Sequence, residues 1–203
     1  LFLEFDGVFQ EAELFVNGKL IDTHVGGYTG FSIDISDAVT VGDNLIAIRV
    51  NNLWKPDIAP RAGEHVFSGG IYRNVRLVIK SPTHIDWYGT YVTTPSLSKN
   101  QGLSSEVKIE TEVHNQSEED GIYKLLTQVF SPDGEIVATV NTQLCIAASC
   151  SMKFVQTTEQ LQNPQLWSPS TPVLYKVVSK LYKDRQLIDE DETAFGFRWF
   201  EWT

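Results

Sequence analysis

Residues 12–22 read AELFVNGKLID and decide the fold class. Ala12, Leu14 and Val16 stand at every second position, so they share one face of a half-buried β-strand. Asn17-Gly18 supplies the positive φ angles of a two-residue turn, and residues 19–22 return as a second strand. The stretch therefore predicts a β-hairpin.

The same period-two alternation continues on both sides of the hairpin. The further apolar groups are Leu1, Leu3 and Phe5; Phe31, Ile33 and Ile35; Ile46, Ile48 and Val50; and Val75, Leu77 and Ile79. No stretch keeps the i, i+3, i+4, i+7 apolar spacing over the length of a core helix. The chain is therefore predicted to be all-β.

A break at residues 80–83, Lys-Ser-Pro-Thr, divides the chain, because proline cannot donate a hydrogen bond to a strand ladder. We predict domains at residues 1–80 and 81–203. Strand-like segments follow the break at 85–94, 104–115, 122–131, 135–144, 150–158, 174–182 and 187–198, with turns at 132–134 and 183–185. Seven strands in about a hundred residues are typical of an immunoglobulin-like β-sandwich.

Composition excludes several classes of partner and site. The formal charge of −10 argues against nucleic acid, since that binding needs clustered lysine and arginine. No apolar run approaches the roughly 20 residues that span a bilayer, so no membrane insertion is expected. Cys145 and Cys150 bracket a short connection and are interpreted either as a disulfide or as two separate small apolar residues. No metal site is predicted, because zinc takes four ligands and neither His84 nor His114 has a spacing that suggests convergence.

Six short motifs follow one another along the chain. They are Val16-Asn17-Gly18, Gly27-Tyr28-Thr29-Gly30-Phe31, NLIAIRV at residues 44–50, Gly70-Ile71-Tyr72-Arg73, Leu166-Trp167-Ser168-Pro169 and Phe195-Gly196-Phe197-Arg198. Their order and separation resemble glycoside hydrolase family 2 from the first residue to the last. The resemblance implies a truncated galactose-binding-like jelly roll followed by an immunoglobulin-like β-sandwich.

The resemblance also implies where the chemistry lies. In that family the two catalytic glutamates belong to a barrel domain, which is expected after Gly196-Phe197-Arg198. A retaining glycosidase needs two carboxyl groups about 5 Å apart, whereas acidic residues such as Glu110 and Glu112 follow strand alternation. No catalytic residue is therefore assigned. We expect the chain to begin inside its first domain and to be the inactive accessory part of a retaining exo-β-glycosidase, with β-galactosidase preferred. The alternative is a stand-alone carbohydrate-binding or cell-surface β-sandwich module.

The segment between residues 51 and 70 carries the candidate site. It is long for a connection in a compact β domain, and such loops are usually functional or disordered. The resemblance implies an acidic residue, shortly before Gly70-Ile71-Tyr72-Arg73, that reaches toward the sugar and a nearby cation, and Glu64 stands at about that position. Trp54 is interpreted either as a stacking surface for a sugar or as a loop anchor packed on its own domain. His65 is interpreted as a hydrogen-bonded loop residue rather than as an acid or base.

Further partners and cofactors follow from the resemblance. The expected partners are a carbohydrate substrate, bound through the full-length enzyme, and the catalytic barrel. An unpaired strand edge at the front of the first domain adds the expectation of a homo-oligomer. No cofactor is expected within this chain, although the full-length enzyme is expected to use Mg or Na ions. Asn115-Gln116-Ser117 fits the N-glycosylation pattern. A periplasmic or secreted location is favoured over a cytoplasmic one.

Overall fold

The computed structural model describes residues 1–59 and 68–200 and forms two compact units, Leu1–Lys80 and Ser81–Thr203. We call them the N-terminal unit and the C-terminal unit. Strands dominate both, and the described residues include one short 3₁₀ helix, Ser36–Ala38. This confirms the prediction of an all-β chain. The described residues contain no helix with the length and apolar character that crossing a membrane requires.

The N-terminal unit contains eight strands in the described residues. They are β1 (Phe2–Phe5), β2 (Val8–Phe9), β3 (Glu11–Val16), β4 (Lys19–Val25), β5 (Phe31–Asp34), β6 (Ile46–Asn51), β7 (Gly70–Ile71) and β8 (Val75–Val78). They pair as three antiparallel sheets with the orders β5-β1-β8, β4-β3-β6 and β2-β7. Asn17 and Gly18 turn the chain from β3 into β4 with φ angles of 51° and 82°, which confirms the predicted hairpin.

The core of this unit is formed mainly by residues of β1, β3 and β5, together with Val8 of β2 and Ile35 after β5, so the two three-stranded sheets face each other. The buried core residues are Leu3, Phe5, Val8, Ala12, Leu14, Val16, Phe31, Ile33 and Ile35. Strand β8 differs from its sequence pattern: Val75, Leu77 and Ile79 are 41%, 59% and 79% exposed. Val75 and Leu77 lie opposite Phe5 and Leu3 in register, but the core cluster includes no residue of β8. The alternating pattern therefore predicted the strand correctly but not the exposure of its apolar side chains.

The C-terminal unit contains nine strands in the described residues. They are β9 (Thr83–Thr93), β10 (Ser104–Ser105), β11 (Lys108–Asn115), β12 (Gly121–Phe130), β13 (Ile136–Ile146), β14 (Cys150–Thr157), β15 (Leu161–Gln162), β16 (Tyr175–Lys183) and β17 (Gln186–Phe195). The sheets β14-β11-β9 and β13-β12-β16-β17 form the sandwich, and β10 pairs with β15. The immunoglobulin-like architecture is thus confirmed. The strand predicted at 104–115 is divided into β10 and β11, because residues 104–105 pair with β15 instead of continuing the β11 ladder.

A layer of polar side chains divides the core of the C-terminal unit into two apolar clusters. One cluster contains Ile109, Val129 and Val177, and the other contains Val113, Leu125 and Leu181. Between them, Thr127 Oγ1 donates to Gln156 Oε1 at 2.6 Å and lies 3.2 Å from Ser179 Oγ. Gln156 Nε2 donates to the Leu125 carbonyl at 3.0 Å. Buried polar groups of this kind are tolerated because they are hydrogen-bonded to one another.

The two motifs that end the C-terminal unit pack against each other. Trp167 N donates to the Phe197 carbonyl at 2.9 Å, and the Arg198 guanidinium lies 5.0 Å from the Trp167 ring centroid. A Cβ atom on Gly196 would lie 2.8 Å from Trp167 Cβ, so only glycine fits there without a shift. These contacts explain why the two motifs, 30 residues apart in sequence, occur together.

Candidate functional site

The loop that follows β6 is fixed where it leaves the sheet. Gln10 is 1% exposed; its backbone N donates to the Asn51 carbonyl at 3.2 Å, and its side-chain Nε2 donates to the Leu53 carbonyl. Asn51 Oδ1 accepts a hydrogen bond from Leu53 N at 3.1 Å. The first residues of the loop are therefore hydrogen-bonded to both the main chain and the side chains of the sheet.

A second set of contacts fixes Lys55, two residues further along the loop. Lys55 Nζ donates to Glu11 Oε1 at 2.6 Å, and Asn51 Nδ2 donates to Glu11 Oε2 at 2.7 Å. The hydrogen bond from Lys55, together with Coulombic attraction to the same group, outweighs desolvation and holds the pKa of the Glu11 carboxyl below its usual value of 4.5. Glu13 pairs with Arg49 at 2.7 Å on the same sheet. These ion pairs line a polar groove of about 390 Å³, in which the four charged side chains are already partnered.

Trp54 lies between these two fixed positions. Leu53 is held through its carbonyl and Lys55 through its ammonium group, whereas Trp54 is 56% exposed. The loop start is therefore anchored by Leu53 and Lys55, and much of the indole surface remains accessible to solvent. A partly exposed indole on a fixed backbone offers a large, flat apolar surface.

The other end of the loop lies beside the same part of the sheet. Gly70 (φ 83°) and Ile71 form β7, which pairs with β2 as Phe9↔Gly70 and Val8↔Ile71. Tyr72 then donates its hydroxyl hydrogen to the Gly27 carbonyl at 2.6 Å. The ring of Tyr28 makes edge contacts with Phe9 at 5.8 Å and with Tyr72 at 6.2 Å between centroids. The motifs at residues 27–31 and 70–73 are thus brought together around Phe9.

The predicted site residues have different outcomes. Trp54 is placed as described, while Glu64 and His65 lie outside the described residues, and their assigned roles stay predictions. Sequence reasoning missed Gln10, Glu11 and Lys55. From the sequence alone, Glu11 and Lys55 are indistinguishable from ordinary solvated residues, since nothing in a period-two pattern indicates which charged side chains are paired across strands.

The expectations for metals and cysteines concern mainly the C-terminal unit. Cys145 and Cys150 are free thiols at the surface. His84 and His114 are cross-strand partners with ring centroids 6.4 Å apart, a proximity that their separation in sequence did not suggest. Within residues 1–59 and 68–200, no group of three or more His, Cys, Asp or Glu is placed to hold a metal ion. The use of Mg or Na ions by a full-length enzyme stays a prediction.

Comparison with known proteins covers both units. Residues 1–82 match the family model described as "Glycosyl hydrolases family 2, sugar binding domain", and residues 83–198 match the model "Glycosyl hydrolases family 2". The chain belongs to glycosyl hydrolase family 2. The resemblance predicted from the six motifs is thereby confirmed. The two matched segments divide the chain within two residues of the boundary between the compact units.

Family 2 relatives with different named activities align along nearly the whole chain. A β-glucuronidase of Formosa agariphila is 33% identical over 99% of this chain and 22% of its own length. A β-galactosidase of Thermoanaerobacter pseudethanolicus is 32% identical over 99% of this chain and 26% of its own length. The solved structure of Bacteroides uniformis β-glucuronidase 2, covalently bound to cyclophellitol-6-carboxylate aziridine, matches 98% of this chain with a TM-score of 0.90 and 30% identity. It is covered over 24% of its length, so the chain spans about a quarter or less of these family 2 proteins.

The Glu11–Lys55 pair predicts how the family 2 sugar-binding unit responds to acid. Because the pKa of Glu11 is lowered in the folded state, its stabilising contribution is present above its usual value of 4.5 and is lost as pH falls through the lower, folded pKa. We expect Glu11→Gln to reduce the fall in unfolding free energy between about pH 5 and pH 3. Urea unfolding at several pH values measures this slope.

The partner variant Lys55→Gln is the control for the cause of that slope. If the ion pair with Lys55 lowers the pKa of Glu11, Lys55→Gln should reduce the slope as Glu11→Gln does, and the double variant should reduce it no further. An unchanged slope in Lys55→Gln would contradict this explanation.

Proposed function

We propose that this chain supplies the sugar-binding and immunoglobulin-like domains of a retaining exo-β-glycosidase, whose barrel domain carries the catalytic carboxyl pair. The observation that supports the proposal most directly is the pair of consecutive family matches at residues 1–82 and 83–198. Relatives with identities of 33% and 32% over 99% of the chain are glycosidases that extend well beyond the aligned segment. By itself the chain does not hydrolyse glycosides, because the paired carboxyl groups that retaining chemistry requires belong to the barrel.

The proposed specificity covers two classes of terminal sugar. The preference for β-galactosidase alone is not supported, since relatives named β-glucuronidase and β-galactosidase differ by only one percentage point of identity, 33% against 32%. The proposal therefore covers terminal β-glucuronides and terminal β-galactosides. The reaction class is the same for both, namely cleavage of the terminal glycosidic bond with retention.

Within this function, Trp54 supplies a substrate-side surface. Its neighbours Leu53 and Lys55 are fixed by Gln10 and Glu11, so the indole can be positioned with little loss of conformational entropy on binding. Glu64, on the same loop, is proposed to contact the sugar or its cation. The large exposed fraction of Trp54 supports a binding role over a role as a loop anchor packed on its own domain.

Hydrolysis assays on the full-length protein and on this chain test the proposal. We expect the full-length protein to release nitrophenol from p-nitrophenyl β-glucuronide or β-galactoside, and the purified 203-residue chain to release none. Inactivity of the full-length protein on both substrates would refute the glycosidase function. Turnover by the chain that a point substitution within it abolishes would refute its accessory role.

The contribution of Trp54 is tested in the full-length protein. Trp54→Ala should raise KM about fivefold or more, because an aromatic contact is worth about 1 kcal/mol beyond its buried area. Trp54→Phe keeps a ring and should raise KM less. Ser32→Ala, at a half-buried position of β5 outside the loop, serves as the control. An unchanged KM in Trp54→Ala would contradict a substrate contact by Trp54 and favour its role as a loop anchor.

A further inference from the structure

A second concave surface lies on the C-terminal unit, on the outer face of the sheet that contains β12, β13 and β16. It is an open groove of about 610 Å³, which we call the sheet groove. Gln143, Lys124 and Tyr182 form one row across it, because Lys124 is the register partner of both of the others. Ile122 and Leu126 flank Lys124 on the same face of β12, and Ile122 is 60% exposed. The floor is thus apolar and aromatic, with polar groups along its centre.

The turn between β16 and β17 supplies the remaining wall. Asp184 and Arg185 form a two-residue turn between the paired residues Lys183 and Gln186, and both line the groove. Their φ angles are 50° and 68°, a left-handed conformation that glycine adopts at little cost and other residues adopt with strain. Glycine at position 185 would give a less strained turn, but the arginine found there places a long cationic side chain at the groove. Positive φ at both central residues is the geometry that a two-residue hairpin turn requires, and it places the Arg185 side chain at the edge of the groove.

The polar lining of the sheet groove is not used within the fold. Lys124, Gln143, Asp184 and Arg185 make no side-chain hydrogen bond or ion pair in the part of the chain that the structure describes. The polar groove of the N-terminal unit differs, since Glu11 is paired with Lys55 and Glu13 with Arg49. Two cations and one carboxylate give the sheet groove a net charge of +1 in a chain whose net charge is −10. The local field therefore favours an anionic ligand.

We propose that the sheet groove binds an acidic saccharide, whose sugar ring carries a carboxylate. The apolar face of a pyranose ring would pack on Tyr182 and Ile122, as sugars do on aromatic surfaces. Arg185 and Lys124 would contact the carboxylate, for which the planar guanidinium provides two parallel donors. Gln143 and Asp184 would hydrogen-bond ring hydroxyls. The site is non-catalytic and lies on a different unit from Trp54, so the proposal does not require hydrolysis by the full-length protein.

Titration of the 203-residue chain by NMR tests the proposal with trigalacturonate and neutral galactotriose as probes. We expect trigalacturonate to bind with a Kd of about 1 mM or tighter and to shift the amides of β12, β16 and the 184–185 turn. Galactotriose should bind at least about tenfold more weakly, since it lacks the carboxylate. Equal affinity for the two probes, no saturable binding of trigalacturonate, or shifts confined to other strands would each overturn the proposal.

Two variants separate binding from folding. Arg185→Gly should weaken trigalacturonate binding about tenfold while leaving the melting temperature unchanged or higher, because glycine relieves the positive φ. Tyr182→Ala should weaken binding of both trisaccharides. Lys153→Ala, on a strand of the other sheet, is the control for general loss of charge and should leave Kd unchanged. Retention of full affinity by Arg185→Gly would refute the assigned role of the turn.

Discussion

Replacing Asn115 with alanine is expected to destabilise the C-terminal unit by about 4 kcal/mol, because one side chain satisfies several buried polar groups. Asn115 is fully buried at the end of β11. Its Nδ2 donates to the carbonyls of Ala147, Glu119 and Ile146 at 3.1, 3.0 and 3.3 Å. Its Oδ1 accepts hydrogen bonds from Thr83 Oγ1 at 2.8 Å and from Ser117 Oγ at 2.6 Å. Alanine would remove all five of these hydrogen bonds, although Thr83 Oγ1 would keep its bond to Tyr123 and Ser117 Oγ its bond to the Glu119 carbonyl.

Urea unfolding followed by tryptophan fluorescence measures the loss, since four of the five tryptophans lie in residues 81–203. Asn115→Asp keeps the acceptor oxygen but loses the donor to three carbonyls, so it should also be strongly destabilising. Asn141→Ala, an exposed asparagine on β13, is the matched control and should change the unfolding free energy by less than about 0.5 kcal/mol. Near-equal stabilities of Asn115→Ala and Asn141→Ala would contradict the role of this network.

The burial of Asn115 also answers a question that the sequence raised. Asn115-Gln116-Ser117 fits the N-glycosylation pattern, but the folded chain places the amide nitrogen inside a hydrogen-bonded network. A glycan there is incompatible with the folded structure. A tripeptide pattern records only which residues are adjacent, whereas acceptance of a glycan depends on exposure.

Strand positions were predictable because strand and turn signals are local. Strands β12, β13, β14 and β16 begin and end within about two residues of the predicted segments, since alternation and turns such as 132–134 act over a few residues. The burial of a side chain depends on which element packs against its face of the strand, so it was less predictable than the strand itself. Leu77 alternates as Leu14 does, yet Leu77 is largely exposed and Leu14 is 2% exposed.

The candidate site was predictable only in part, for a related reason. Trp54 was identified by its residue type and by the length of its loop. The contacts that fix the loop were not, because Gln10 and Glu11 are more than 40 residues away in sequence from their partners Leu53 and Lys55 and meet them only through the pairing of β3 with β6. The sheet groove was missed because its residues come from three strands whose register no local pattern gives.

The second large effect is expected at Gly27, where Gly27→Ala should destabilise the N-terminal unit by about 3 kcal/mol. A Cβ atom there would overlap Phe9 Cδ2, far inside contact distance. Phe9 is 3% exposed and in edge contact with Tyr28, and the Gly27 carbonyl accepts a hydrogen bond from Tyr72. Neither the ring nor the backbone can therefore move without losing another contact.

A double-mutant cycle with Phe9→Leu tests the cause of this loss. If the clash with the Phe9 ring dominates, Gly27→Ala should cost at least about 1 kcal/mol less in the Phe9→Leu background, because the smaller side chain leaves room for the methyl group. Gly18→Ala is the matched glycine control: its Cβ would meet no atom within 4 Å, so only its positive φ of 82° is penalised, by about 1 kcal/mol. Additive effects of Gly27→Ala and Phe9→Leu would contradict the clash.

Phe9 precedes Gln10, whose side chain holds the loop at Leu53, so displacement of Phe9 should also weaken the positioning of Trp54. In the full-length protein we therefore expect Gly27→Ala, assayed at a temperature where it remains folded, to raise KM in the same direction as Trp54→Ala.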